Sequence, residues 1–302
     1  MEINLVPETE TIKARDYISF SEIRKYEICP LKHYYHYVLG DKEPADLNLV
    51  FGSAVHSAIE VLLRSIMDGK SLTHGDASNL FRHFFQTEIK EKDLSIGAED
   101  NIPHLERTGV NLVYLWCLER ASTVLPVQVE QKYLVTLPGI EKPVLMYVDL
   151  VEANGEMFEG RASTDLVVTD IKTSKTDYAL HNPSLSLQLA LYCKAVGTRL
   201  CRFDVLNKKK GTFQPVLGVM YPSVQEYLFD RFRKTLESIN LGICIPPAPG
   251  EWPCTPNCYY WSKCAGTKIP DIVFESAREE KLRIAGLKEL LKAKSKTRRK
   301  TA

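Results

Sequence analysis

Leu166-Val167-Val168-Thr169-Asp170-Ile171-Lys172-Thr173 is the stretch from which the rest of the chain takes its meaning. Leu166, Val167, Val168 and Ile171 are strand-formers, and no helical periodicity reaches them. Side chains two apart on a strand share a face, so Asp170 and Lys172 project together. A carboxylate beside an ammonium on a rigid strand end suits phosphodiester hydrolysis. The carboxylate can hold a divalent cation, and the lysine can orient the attacking water or steady the charge growing on the phosphorane. The same pair on an ordinary surface is commonplace and worth about 0–1 kcal/mol. What the pair means therefore depends on what else the chain brings to it.

Upstream of this stretch the apolar period is two. Val127, Val129, Gln131, Tyr133, Val135 and Leu137 alternate with polar residues, and Pro138-Gly139 makes a turn. Pro143–Glu152 reads as a second strand with Asp149 late in it, and Asn154-Gly155 as another turn. Three consecutive strands joined by turns predict an antiparallel meander that sets Asp149 beside Asp170. Glu130 and Asp165 are secondary candidates for the same shell. Downstream, Ser184–Val196 is helical, with Gln188 and Tyr192 one turn apart on one side. Such a pair can contact a phosphate or sugar, and equally suits a helix with two half-exposed polar residues. Cys201–Leu206 and Phe213–Tyr221 read as strands joined through Lys208-Lys209-Lys210-Gly211, a turn whose charge could meet a phosphate backbone. Ser223–Leu241 is a further helix.

The first part of the chain is helical. Ser19-Phe20-Ser21-Glu22 has capping-box spacing. The helix it opens stops near Cys29-Pro30, because proline disfavours a helical residue before it and suits the first turn of a new helix. That new helix carries Tyr34, Tyr35 and Tyr37 among Lys32, His33 and His36. Val50–Met67, Asp76–Lys92 and Pro103–Leu125 are amphipathic, with Trp116 and Cys117 in the core pattern. Gly52, His56 and Glu60 share a helix face, and a mid-helix glycine there predicts a close neighbour. His56 is a candidate metal ligand, although an isolated histidine is more often a satisfied core or surface residue.

The 302 residues carry 44% hydrophobic and 25% charged side chains, ordinary values for a globular protein. No apolar run approaches the roughly 20 residues that span a bilayer. The N-terminus has no basic and apolar leader pattern, so the expected compartment is cytoplasmic, without membrane association. Residues 288–302 hold seven Lys or Arg against one Glu, a solvated tail or a nucleic-acid contact. There is no phosphate-binding loop of the ATPase type, hence no motor of the chain's own. Cys254, Cys258 and Cys264 fall within eleven residues, which in a reducing compartment points to a thiolate site. A fourth thiolate is required, and Cys29 is the best of the remaining five cysteines. Four thiolates fit Zn²⁺ or an iron–sulfur cluster, and spacing does not choose between them.

Taken in order, Cys29-Pro30, Gly52-x-x-x-His56, Asp149, Asp170-Ile171-Lys172, Gln188-x-x-x-Tyr192 and the closing cysteines resemble the RecB-type branch of the PD-(D/E)XK nucleases. The subset resembled carries an iron–sulfur staple and includes AddB nuclease domains, small CRISPR-associated exonucleases and phage RecB-type nucleases. The resemblance implies an α/β (α+β) fold, a central mixed sheet with an antiparallel meander flanked by helices. This restriction-endonuclease-like core would follow a helical N-terminal part. It implies that His56, Asp149, Asp170 and the carbonyl of Ile171 hold Mg²⁺ or Mn²⁺. Asp149, Asp170 and Lys172 would be catalytic, and Gln188 and Tyr192 would guide DNA. Cys29, Cys254, Cys258 and Cys264 would hold a 4Fe–4S cluster, with Zn²⁺ the alternative. Met146 stands where the family often has glycine, and Cys-x3-Cys is one residue longer than the commoner spacing.

The resulting expectation is a metal-dependent deoxyribonuclease, an exonuclease on single-stranded DNA ends in recombination or repair, with a helicase or a recombination or CRISPR-adaptation complex as partner. Residues 1–18 would be a lead-in. Residues 19–270 would form one nuclease domain: helical over 19–125, catalytic sheet over 126–222, C-terminal helix and cysteine segment over 223–270. Residues 271–302 would be a basic tail. The rival reading is a non-catalytic nucleic-acid-binding module with a structural metal, which leaves the joint placement of His56, Asp149, Asp170 and Lys172 unexplained.

Overall fold

The structure, a computed structural model, describes residues 4–5, 16–70, 72–92, 94–95, 101–154, 157–158, 161–162, 166–176 and 182–264. Most of the expected lead-in, Asp165 and the basic tail lie outside these residues. The chain forms two compact units, residues 1–23 with 44–237 and residues 24–43 with 238–302.

Five strands form the body of the sheet: β1 (Pro126–Val135), β2 (Val144–Ala153), β3 (Leu166–Ser174), β4 (Leu200–Asn207) and β5 (Thr212–Val219). The helices of interest are α1 (Phe20–Ile28), α2 (Leu47–Met67), α3 (His74–Glu91), α4 (Ile102–Arg120), α5 (Leu187–Val196) and α6 (Pro222–Asn240). The strands lie in chain order. β1–β2–β3 is an antiparallel meander, interrupted between β2 and β3 by a small hairpin that pairs Met157–Phe158 with Arg161–Ala162. β4 then runs parallel to β3 after the α5 crossover, and β5 returns antiparallel. The sheet is therefore mixed and flanked by helices, as a restriction-endonuclease-like core requires.

Burial follows position in the sheet. All eight residues of β4 are buried, as expected where both faces are covered, whereas the edge strand β5 is largely half-exposed and tolerates Pro215. Val129, Leu150, Ile171 and Leu206, from four neighbouring strands, join one apolar core with α2, α3 and α4. Because side chains alternate across a strand, Ile171 facing that core turns Asp170 and Lys172 to the other side.

α2 starts at Leu47, capped by Asp46, whose carboxylate accepts the Leu49 amide at 2.7 Å. α2 is long and apolar enough to cross a membrane by length and composition, although His56, Glu60 and Arg64 interrupt any continuous apolar run. Nine of its side chains are nevertheless buried, and it is a core helix here. At Gly52 an added Cβ would meet Thr173 Oγ1 at 3.5 Å, an ordinary contact, so the neighbour is present without demanding glycine.

One feature of the core escaped the sequence reading. Arg120 of α4 sits among buried charges: its guanidinium pairs with Glu152 of β2, and its Nε donates to Asp204 of β4 at 3.3 Å. Trp116 Nε1 donates to the same Asp204 oxygen at 3.1 Å. Arg202 and Thr169 donate to Glu152 at 3.2 and 2.8 Å. Two arginines and two carboxylates thus cancel inside the sheet–helix interface. Removing one partner of such a buried set costs about 3–5 kcal/mol, because the other is left uncompensated.

α4 crosses α3 at Gly109, where a Cβ would lie 1.9 Å from Phe81 Cζ. Phe81 is fully buried and stacks on Phe85 at 5.4 Å, so it has no room to retreat. Gly109→Ala should therefore lower the melting temperature by several degrees, even though alanine favours a helix by about 1 kcal/mol. Thermal denaturation followed by circular dichroism tests this, and an unchanged or higher midpoint contradicts the packing described.

Candidate active site

Pairing between β2 and β3 runs from Ala153↔Leu166 to Leu150↔Thr169 and goes no further. The next residues in each strand are Asp149 and Asp170. Where a ladder bond would continue, the Asp149 carboxylate instead accepts the Ile171 amide at 2.8 Å. The ladder thus opens at the two acids, and a side chain takes over one backbone donor that would otherwise be buried unpaired.

α2 brings His56 to this opening. Its Nδ1 lies 3.5 Å from Asp149 Oδ2 and 3.7 Å from Glu130 Oε1. The helix is held in place by Arg64, which bridges from Glu60 (2.9 Å) to the Val129 carbonyl (3.1 Å), one residue from Glu130. Glu60 shares the His56 face but is engaged by Arg64. Glu130 itself has φ +47°, a left-handed conformation inside a strand. Such strain, of order 1–3 kcal/mol, gathers at functional sites. Ligand atoms of His56, Glu130 and Asp149 all lie within 4.8 Å of one another, a group able to hold a cation. Glu130 was only a secondary candidate in sequence, because a polar residue on an alternating strand looks like an outward-facing one; its backbone conformation has no sequence signature.

Asp170 and Lys172 form the other side. The Lys172 ammonium is 2.7 Å from Asp170 Oδ2 and donates to Gln188 Oε1 at 2.8 Å. Gln188 Nε2 in turn donates to the Tyr192 hydroxyl at 2.9 Å. Tyr192 is buried, not half-exposed, because α5 packs on the sheet at this point. Gln188 and Tyr192 thereby fix the lysine in this structure. Lys208 of the expected basic turn is also engaged: it donates to Asn48 at 3.0 Å and lies over the Phe51 ring, while Lys209 and Lys210 are exposed.

The electrostatics are those of a floor short of positive charge. Asp170 is 1% exposed, and neither carboxylate oxygen has a hydrogen bond of good geometry despite the nearby ammonium. Burial pushes its pKa up to about 7; Lys172 opposes this and Asp149 adds to it. Asp149 is raised likewise, by burial first, with His56 opposing and Glu130 adding. Burial disfavours charge on His56, but Asp149, Glu130 and Asp170 outweigh it and raise the imidazole to about 9. His56 and Lys172 remain about a third exposed, so solvent reaches the opening above the buried acids. A buried carboxylate whose near partner is the single Lys172 ammonium, beside an Asp/Glu/His group, fits a hard divalent cation with oxygen and imidazole ligands.

The second unit holds the cysteine set. Cys29, Cys254, Cys258 and Cys264 line one small cavity with Pro246, Pro253 and Trp261, and all are free thiols. Burial raises the Cys29 thiol; the Lys32 and Leu31 amides act the other way, and Cys258 and Cys264 add to the rise. Among the described residues no three cysteine sulfurs come within 4.8 Å of one another; only the His56 group does.

A mixed sheet whose central strands part around two acids, with a lysine two residues on, is an arrangement able to hold a cation beside a phosphodiester. The family model for the PD-(D/E)XK nuclease superfamily matches residues 17–265, and the chain belongs to that superfamily. Nucleases of this superfamily usually use Mg²⁺ or Mn²⁺. No curated protein matches the sequence. Among solved structures, SSO0001 is similar at 14% identity, covering 79% of this chain and 95% of that one with a TM-score of 0.33, too low to carry a structural argument.

In the metal-free protein all three raised groups bind protons more tightly when folded than when unfolded. Asp170 loses stability as pH rises from about 4 to about 7. The His56 contribution is complete below about 6.5 and is lost as pH rises through about 9. Stability without a cation should therefore fall continuously between these limits. Asp170→Asn should raise the melting temperature at pH 8 and flatten the acidic part of the slope. Melting curves in EDTA across pH test this; a destabilised Asp170→Asn protein contradicts it.

Proposed function

We propose that the chain is a Mg²⁺- or Mn²⁺-dependent deoxyribonuclease that removes nucleotides from single-stranded DNA ends in recombination or repair. The observation that carries this reading is the convergence of His56, Glu130, Asp149 and Asp170 on the open end of the β2–β3 ladder, with Lys172 against Asp170. His56, Asp149 and Asp170 would hold the cation, with Glu130 and the Ile171 carbonyl as further ligands. When bound, the cation would supply Lewis-acid polarisation of the phosphate and a lowered pKa for water.

The chain's own groups do the positioning. Asp149 holds the Ile171 amide and so fixes the start of the Asp170–Lys172 turn of the strand. Lys172, aimed by Gln188 and Tyr192, places a fixed positive charge where the phosphate becomes more negative, or orients the attacking water. Gln188 can also reach a strand lying over the lysine, being half-buried, whereas Tyr192 acts through it.

As part of the same proposal, Cys29, Cys254, Cys258 and Cys264 would hold a 4Fe–4S cluster, and the chain would belong to the RecB/AddB-like, iron–sulfur-containing branch. Support comes from four free thiols lining one cavity of the second unit. Purified protein should be brown, absorb near ~400 nm and contain iron; stoichiometric zinc without iron rejects the cluster.

Asp170→Ala and Lys172→Ala should each lower Mn²⁺-dependent cleavage of end-labelled single-stranded DNA by more than about a hundredfold, with folding intact. Linear strands should be degraded and circular ones spared. Undiminished cleavage by both variants rejects the site, and binding without any cleavage by the wild type favours a non-catalytic DNA-binding module. Cation affinity should rise with pH up to about 7, where Asp170 ionises, and further toward about 9 as His56 loses its proton. Titration calorimetry with Mn²⁺ reads this directly; a flat profile contradicts His56 as a ligand.

A further inference from the structure

The second unit carries a run of tyrosines that the nuclease reading does not use. After the Pro30–His33 turn the chain forms a π-helical turn, Tyr34–Val38, a rare geometry that tends to mark functional segments. Tyr35 stacks on Tyr260 at 5.0 Å and 12°. Tyr34 meets the edge of Tyr35 at 6.1 Å, and Tyr259 meets the edge of Tyr260 at 5.0 Å. The four rings are continuous. The inner two are pinned by their hydroxyls: Tyr35 donates to the Lys263 carbonyl at 3.0 Å, and Tyr260 to the Asp41 carbonyl at 2.5 Å. The outer two are in water, Tyr34 at 37% and Tyr259 at 46% exposure.

Positive charge lies along the same surface. Lys263 Nζ is 5.2 Å from the Tyr259 ring centre and 5.9 Å from that of Tyr260, and it pairs with Asp41. Lys25 and Lys32 share Glu43 at 2.8 and 3.3 Å, and Lys42 is exposed. Four lysines thus stand against two carboxylates. Packing alone does not call for this arrangement, since the inner rings are anchored without the outer ones. Exposed rings on a rigid backing with cations beside them are what unpaired bases and their phosphates recognise; a duplex hides its base faces.

We propose that the Tyr34–Tyr35–Tyr260–Tyr259 ladder is a base-stacking subsite for single-stranded DNA, with Lys263 beside the phosphates. The subsite deepens the single-strand reading above but is tested without cleavage. Fluorescein-labelled oligothymidylate is titrated in EDTA with wild type, Tyr34→Ala, Tyr259→Ala, Tyr259→Phe and Tyr227→Ala. Tyr227, 67% exposed on α6, is the control for a lost surface tyrosine. Each alanine in the ladder should raise Kd about fivefold to a hundredfold, with Tyr259→Phe and Tyr227→Ala close to wild type. As a measurement independent of any variant, a 2-aminopurine strand should be quenched on binding to the wild type. Unchanged Kd in both ladder alanines, an equal loss in Tyr259→Phe, or no quenching overturns the subsite. Cleavage in Mn²⁺, run in parallel, separates the two readings. Tyrosine-dependent binding without cleavage sinks the nuclease reading alone, while normal cleavage with tyrosine-independent binding sinks the subsite alone.

Discussion

The hydrogen bond from the Ile171 amide to Asp149 is the constraint on which the first unit turns. Two antiparallel strands can stay paired, or they can part to admit a third body, but a buried amide at the parting point must still be satisfied. Asp149 satisfies it with a side chain, so β2 and β3 separate without an orphaned donor. The cost is moved to Asp170, whose two oxygens are buried with no well-formed hydrogen bond. A core seldom keeps such a group unless something occupies the place beside it. The raised pKa values of His56, Asp149 and Asp170 express the same deficit.

The parting is confined to one end because the rungs just beyond it are locked. Thr169, in the last paired rung, donates to Glu152, and Glu152 is held by Arg120 and Arg202. The charge network pins α4, β2, β3 and β4 at one level of the sheet, one residue from Asp170. An apolar core could supply the same stability, but a network with directed bonds fixes register, and a slip of one residue would turn Asp170 to the opposite face.

Much of this was legible in the sequence because it depends on local rules. The period-two run from Val127, the turn at Pro138-Gly139 and the strand formers around Asp170 lead to the meander and place Asp149 near Asp170. Helices α2 to α4 follow from amphipathic periodicity; the Thr73 cap, whose hydroxyl accepts the Asp76 amide at 3.2 Å, was not read in advance. What could not be read arises from tertiary geometry. Nothing in Arg120 or Glu152 announces a partner far along the chain, and Glu130 owes its place to a backbone angle. Tyr192 reads as a polar contact on a short helix, whereas the parallel crossover buries it. Lys208 likewise loses its freedom only when its turn meets α2.

Charge counting shows what a cation would supply to the site. Glu130, Asp149 and Asp170 contribute three negative charges when ionised, and Lys172 returns one, so with a neutral His56 the pocket stands two charges short of balance. Protons can fill part of that gap, adding to the burial that already raises Asp149 and Asp170. One divalent ion fills all of it and lets the imidazole return to its neutral, ligating form. A monovalent ion would leave the pocket anionic against an incoming phosphate. Lys172 cannot itself complete the balance, since Gln188 and Asp170 hold it to one side of the opening. The fold thus fixes one positive charge beside Asp170, and a divalent ion arriving with its own water would supply the other two.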